Sequence, residues 1–199
     1  MRPDQVAESY DRIAGQWQGA SFDRSNGMAQ HRRALAFTPR RGAALDVGCG
    51  SSGRILDLLL AQGFTAEGLD LSVEMLRLAR ESHPQLTFHH ADICEWTAPR
   101  PYDFISAWDS VWHVPLPMQP SVLLKLCRAL TPGGVLIFTA GGVELPEEKL
   151  DAHMGVPMYH ATLGVPRICS LLAEGGCMLR HFEHDQHPQA HVCFIAQRT

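Results

Sequence analysis

Short apolar runs alternate along this chain with segments whose apolar positions recur at helical spacing. The runs fall at Ala43–Val47, Thr65–Leu69, Leu86–His89, Tyr102–Ala107 and Val135–Ala140, and each has the length and flanks of a buried strand. Between them, Met118, Val122, Leu123, Leu126, Cys127 and Leu130 paint one face of a helix. Another helix opens at Ser72, an N-cap residue type, and carries Val73, Met75, Leu76 and Ala79. Pro132-Gly133-Gly134 stops the 118–130 helix and feeds the next strand. Strands alternating with helices predict a parallel sheet covered on both faces. The tail departs from this rhythm. Met178–Asp185 and His191–Gln197 read as two strands joined by His187-Pro188-Gln189-Ala190, an antiparallel hairpin. Two helices precede the first strand. One bears Val6, Tyr10, Ile13, Ala14 and Trp17 on one stripe, and the other spans Gly27 to Phe37.

Length and composition narrow the class. A chain of 199 residues suits one domain with one core. It divides into N-terminal helices over 1–40, an alternating core over 43–140 and a tail over 142–199. The net charge of −4 offers no cationic field for a nucleic-acid backbone. Arg32, Arg33, Arg40 and Arg41 form the one basic cluster, and a solvated helix face and loop account for it. The first dozen residues lack the basic-then-apolar order of a secretory signal, and no apolar run is long enough for a membrane span. The expectation is a cytoplasmic protein without membrane or nucleic-acid partners. The cysteines at 49, 94, 127, 169, 177 and 193 are scattered without a close pair, as in a reducing compartment.

The chemistry concentrates after the first strand. Ala44-Leu45-Asp46-Val47-Gly48-Cys49-Gly50-Ser51-Ser52-Gly53-Arg54-Ile55-Leu56 reads as strand, tight glycine turn and helix. Glycines there let the backbone approach a ligand, and Gly48, Gly50 and Gly53 match a dinucleotide fingerprint. Asp70 closes the second strand, where an acid accepts bonds from two ribose hydroxyls. It also reads as a favourable charge at a helix start. Neither feature separates a nicotinamide cofactor from an adenosylmethionine one. Asp46 does: a pyrophosphate disfavours a carboxylate beside the turn, whereas an ammonium and a sulfonium favour it. Ala91-Asp92-Ile93 follows the third strand, and Leu130-Thr131-Pro132-Gly133-Gly134-Val135-Leu136 leads into the fifth.

Together these residues resemble the class I S-adenosylmethionine-dependent methyltransferases, in particular the small-molecule branch, over about residues 43 to 140. The resemblance implies an α/β, Rossmann-like three-layer sandwich. Its seven-stranded, mostly parallel sheet would run in the order 3-2-1-4-5-7-6, with strand seven antiparallel. It implies S-adenosyl-L-methionine as cofactor, S-adenosyl-L-homocysteine as product, and in-line methyl transfer to a small molecule. Asp46, Gly48 and Gly50 would hold the methionine part. Asp70 would take the ribose, with Leu71 against the adenine. Asp92 would reach the adenine amino group and Ile93 its ring, with Trp108 on the sulfonium side. Met75 reads equally as an adenine contact and as core.

The acceptor belongs beyond the fourth strand, because ligands sit at the carboxyl ends of such sheets. His113 is the candidate general base or acceptor-orienting group, and Asp109 would orient it or bind a cationic acceptor. A histidine bonded only to a neighbouring loop is the alternative. Tyr10-Asp11-Arg12-Ile13-Ala14-Gly15-Gln16-Trp17 resembles the covering helix of this branch, so Tyr10 and Trp17 would close the pocket; core packing serves Trp17 equally. Residues 142–164 form a long connection expected to shape acceptor choice through Met158 and Tyr159. No metal is expected: His181 and His184 point to opposite faces of a strand, and no metal-ligand spacing occurs. A nicotinamide-dependent oxidoreductase and a silent cofactor-binding module remain the alternatives, and the oligomer is a monomer or a homodimer.

Overall fold

A computed structural model describes residues 1–19 and 22–199. Helix α1 (Pro3–Ile13) runs into a tighter turn at Ala14–Gln18, and α2 (Met28–Leu35) follows. The alternating core comprises β1 (Ala43–Val47), α3 (Arg54–Ala61), β2 (Thr65–Asp70), α4 (Val73–Ser82), β3 (Thr87–His90), β4 (Tyr102–Ala107), α5 (Gln119–Arg128) and β5 (Leu130–Gly141). The tail holds β6 (Glu147–Asp151), β7 (Met158–Thr162), α6 (Val165–Glu174), β8 (Cys177–Glu183) and β9 (His191–Arg198).

The main sheet has seven strands in the order β3-β2-β1-β4-β5-β9-β8. The first five pair in parallel, and β9 runs antiparallel to both β5 and β8. This is the expected topology, with the tail hairpin inserted as foreseen. Strand alternation sorts the core into two layers. Leu45, Val47, Ile105, Leu136 and Phe138 face α5 and α6 through Val122, Leu126, Ile168 and Leu171. Ala44, Phe104, Val135 and Ile137 face α2 and α3 through Ala34, Leu35, Ile55 and Leu59. The stop at Pro132-Gly133-Gly134 is realised inside β5: Gly133 takes φ +79°, and the register against β4 shifts between Tyr102 and Phe104.

The long connection after β5 is more ordered than its sequence suggested. Strands β6 and β7 form a separate antiparallel pair, Leu150 opposite Tyr159. The outer strand, Glu147-Glu148-Lys149-Leu150-Asp151, is almost wholly exposed, whereas β7 is largely buried. Charges on an exposed edge strand block further pairing. They also erase the apolar alternation that would have announced the strand. Met158, Tyr159 and Ala161 pack with Val6 and Ile13, so β7 is the bed on which α1 lies. The hydroxyl of Ser9 donates to the Pro157 carbonyl at 2.7 Å.

Candidate functional site

The turn after β1 is shaped by three left-handed glycines, Gly48 (φ +68°), Gly50 (φ +55°) and Gly53 (φ +66°). A side chain at Gly48 would strike Ser110 at 2.4 Å, whereas one at Gly50 would meet only the Met75 sulfur at 3.9 Å. The loop therefore packs tightly against the β4 end and leaves its Gly50 side open to a ligand. Asp70, at the end of β2, is clamped by backbone: Oδ2 accepts from Gly50 N–H at 2.8 Å and Oδ1 from Ser72 N–H at 2.9 Å. Burial pushes this carboxyl above its ordinary value, and the amides of Ser72, Gly50 and Leu71 oppose the shift.

These groups open onto a cavity of about 320 Å³ at the carboxyl ends of β1, β2 and β4. Its wall includes Gly48, Gly50, Asp70, Leu71, Met75, Asp92 and Ile93 on one side, and Trp108, Asp109, His113, Tyr10 and Trp17 on the other. Asp92 also closes its own turn, accepting from Cys94 N–H at 2.8 Å. Helix α1 is fixed over the cavity by Asp11, whose Oδ1 accepts from Ser72 Oγ–H at 2.6 Å and from Glu74 N–H at 3.0 Å. Ser72 caps α4 in turn, its Oγ accepting from Met75 N–H at 3.0 Å. Ser110 Oγ and Trp108 Nε1 are among the buried polar atoms of the wall that have no hydrogen-bond partner among the described residues. Buried polar groups are normally satisfied, so both are candidates for ligand contacts.

Three expected site residues lie elsewhere. Asp46 is 2 % exposed and does not reach the cavity wall. It shares the strand face of Ala44, turned toward α2, beside its cross-strand neighbour Ser106; burial pushes its carboxyl up to about 7. Met158 and Tyr159 face the packing beneath α1 rather than the cavity, because β7 spends its buried face holding that helix. Tyr159 still supports the site through its backbone.

That support fixes the state of His113. Its Nδ1 lies 2.7 Å from the Tyr159 carbonyl, which only accepts, so Nδ1 carries the proton. Its Nε2 receives the Trp112 indole N–H at 3.0 Å and lies 2.8 Å from the Tyr10 hydroxyl. Nε2 is therefore the free-base nitrogen. Burial holds the imidazole down to about 4, neutral near pH ~7. Burial also raises Tyr10 well above the ordinary phenol range, so Tyr10 keeps its proton and donates to Nε2.

A family model described as a methyltransferase domain matches residues 21–197. The chain belongs to this methyltransferase-domain family. Among relatives, the trans-aconitate 2-methyltransferase of Azoarcus sp. (strain BH72) is 40% identical over 109 residues, 53% of this chain and 42% of that protein. The dTDP-3-amino-3,6-dideoxy-alpha-D-glucopyranose N,N-dimethyltransferase of Streptomyces fradiae is 29% identical over 137 residues, 67% of this chain and 52% of that protein. The chain thus spans about half the length of these curated relatives. Among solved structures, SAM-bound CalS10, an amino pentose methyltransferase from Micromonospora echinaspora, superposes with a TM-score of 0.67 at 19% identity, covering 94% of this chain and 96% of that one.

The methyltransferase domain also recruits residues its sequence did not announce. Asn26 and Arg54 line the cavity, Arg54 donating from Nε to the Asn26 carbonyl at 3.1 Å and resting its guanidinium 5.0 Å from the Phe22 ring. His160 of β7 joins the wall beside His113, ring centroids 5.0 Å apart. His191 and Asp185 brace Asp109 from behind: His191 Nε2 is 3.0 Å from Asp109 Oδ1, and Nδ1 is 2.5 Å from Asp185 Oδ1. No local motif marks these contacts, since all but the Asp185–His191 pair join positions far apart in the chain.

Proposed function

We propose that this domain binds S-adenosyl-L-methionine in the 320 Å³ cavity and transfers its methyl group to a small-molecule acceptor. The observation that carries this reading is the Asp70 carboxylate, held by two backbone amides at the rim of the glycine turn, facing the unpartnered Ser110 and Trp108. Asp70 offers remaining lone pairs to a ribose diol. Leu71, Met75 and Ile93 form an apolar slot for adenine, and Asp92 supplies an acceptor at its edge. The open side of Gly50 admits the amino-acid part beside Gly48. The nicotinamide reading shares this loop, and membership of the methyltransferase-domain family favours methyl transfer over it.

When bound, the donor supplies a methyl carbon activated by its sulfonium. The chain's own task is alignment and exclusion of water. Tyr10 of α1 and Trp17 of the turn that follows it, in edge contact at 5.5 Å, cover the cavity. His113 acts as a fixed, neutral acceptor that aims the Tyr10 hydroxyl. A base role for His113 then runs through Tyr10, which occupies the one lone pair of Nε2 together with Trp112. Residues 142–164, through His160 and Met154, close the acceptor side. Arg54 is the one lysine or arginine on this wall among the described residues, which suits an acceptor of low negative charge. Function in the cytoplasm as a monomer or homodimer belongs to the same reading. No helix among the described residues is long and apolar enough to cross a membrane.

Calorimetry with S-adenosyl-L-homocysteine tests the core of this proposal. Binding to the wild type and its loss by roughly 10-fold or more in Asp70→Asn is the expected pair of results, as for a charge-assisted hydrogen bond. A wild type that gives no heat rejects it.

A further inference from the structure

Asp109 is the one non-glycine residue among the described residues with a left-handed backbone, φ +53°. Such a conformation is uncommon outside glycine and, even for aspartate, which tolerates it better than most residues, persists where its surroundings hold it. Here they do. The Asp109 N–H donates to Thr139 Oγ1 at 2.8 Å, Thr139 Oγ1–H lies 3.3 Å from Oδ1, and Asn26 Nδ2 donates to Oδ2 at 3.3 Å. Behind Oδ1 stands His191, the first residue of β9, brought there by its pairing opposite Gly141 at the end of β5. Its ring is packed against Trp108 and Trp112, with centroids at 5.8 and 5.3 Å. Its other nitrogen meets Asp185, whose side chain is 3% exposed.

Carboxylate oxygens only accept, so a protonated ring between these two donates from both nitrogens, with the Gln186 amide nitrogen farther off, 3.4 Å from Nε2. Burial opposes that charge, but the bonds to Asp109 and Asp185 hold the ring above the ordinary histidine value. The cluster of two acids and one imidazolium thus presents a single net negative charge, and its cavity-facing member is Asp109. We propose that His191, braced by Asp185, is a positioning residue that holds an ionised Asp109 in the cavity as the seat of an ammonium group. The ammonium comes either from the amino-acid end of the methyl donor or from an amine-bearing acceptor. The inference rests on the methyl-donor reading above.

Calorimetry on the full chain separates the possibilities. S-adenosyl-L-homocysteine carries the ammonium; 5′-methylthioadenosine keeps the nucleoside and lacks it. Binding of neither to the wild type rejects the methyl-donor reading itself. If the seat serves the donor, Asp109→Asn and His191→Gln weaken S-adenosyl-L-homocysteine by about 10- to 100-fold, the range for one charge-assisted hydrogen bond, and leave 5′-methylthioadenosine within about twofold. If it serves the acceptor, both variants bind both nucleosides as the wild type does. Transfer to phenethylamine, measured against 2-phenylethanol and phenylacetate, then shows an amine preference whose KM rises about 10-fold in His191→Gln while kcat holds. Equal weakening of both nucleosides marks a merely structural histidine and overturns the proposal. So does a response in Asp109→Asn without one in His191→Gln, or the absence of both selective effects. Should His191→Gln fail to fold by circular dichroism, Asp185→Asn takes its place, because its amide oxygen still accepts from Nδ1 while the bracing charge is gone.

Discussion

Replacing Asp46 with asparagine isolates a proton buried under the glycine turn. The neighbouring His31 is fully buried; its Nδ1 is 2.7 Å from the Gly27 carbonyl and its Nε2 3.0 Å from Ser106 Oγ. Burial holds this imidazole down to about 4, so it is neutral. With Nδ1–H committed to a carbonyl, Nε2 can only accept, and Ser106 must spend its single hydrogen there. Burial pushes the Asp46 carboxyl up to about 7, against the opposing effects of Ser106 and Arg54, so below that value the folded chain keeps the proton. An asparagine amide takes the same place and carries no charge at any pH.

The sign follows from linkage. Between the ordinary carboxylate value and about 7, the folded chain keeps a proton on Asp46 that the unfolded chain has released. Wild-type stability is therefore lost as pH rises through that window, by about 1.4 kcal/mol per pH unit. The histidines oppose this: His31 and His113, both held down to about 4, add stability as pH rises toward the ordinary histidine value. Those contributions are common to wild type and Asp46→Asn and cancel in the difference. From about pH 5 to about pH 8 the variant should gain on the wild type by roughly 3 kcal/mol, a change in melting-temperature gap of roughly 6–12 °C for a chain of this size. Urea and thermal unfolding at several pH values measure it. A gap that stays constant with pH, or that narrows as pH rises, refutes the proton assignment.

Two other substitutions probe the cover over the cavity. Ser72→Ala removes both the cap of α4 and the hydroxyl that Asp11 holds; a loss of about 1–2 kcal/mol in urea unfolding is expected, the usual size for an N-cap. Tyr10→Phe keeps the ring contacts with Trp17 and His113 but removes the hydroxyl bonded to Nε2. Affinity for S-adenosyl-L-homocysteine should hold while transfer slows by about 10-fold or more, as for loss of a proton-handling group; an unchanged rate would reduce the pair to packing.

The sheet was legible because its central strands are buried on both faces and its helices on one, two patterns that differ in period. Burial on both faces also hid the direction of Asp46. Leu45 and Val47 face one helix layer and Ala44 and Asp46 the other, but a continuous apolar run does not say which layer the ligand sits above. Strand β6 was illegible for the opposite reason: its exposed, charged residues have no apolar face to alternate. That Asp70, Gly48 and Gly50 meet at one cavity could be expected because they are compressed into one turn and the next strand end. The Asp109–His191–Asp185 cluster could not be. It depends on β9 returning beside β5 in a register that sets His191 opposite Gly141, and on backbone strain at Asp109 that no residue type announces.

Three acids near one cavity thus sit in three different surroundings: backbone amides at Asp70, the His191 ring at Asp109, and the dry core at Asp46. They are not independent. The charge on Asp70 is one of the causes that keep Asp46 high, after its burial. A cationic ligand seated beside the glycine turn would offset that charge and favour the ionised form of Asp46, so ligand binding and the Asp46 proton are linked. Near pH ~7, where Asp46 is poised, uptake of S-adenosyl-L-methionine should therefore expel a fraction of a proton into solution. Calorimetric titrations in buffers of different ionisation enthalpy report that fraction directly. Asp46→Asn should abolish the Asp46 share while leaving affinity within a few-fold. Equal proton release from wild type and variant would show that the cation does not sense Asp46, and would place the donor's charge at the other end of the cavity.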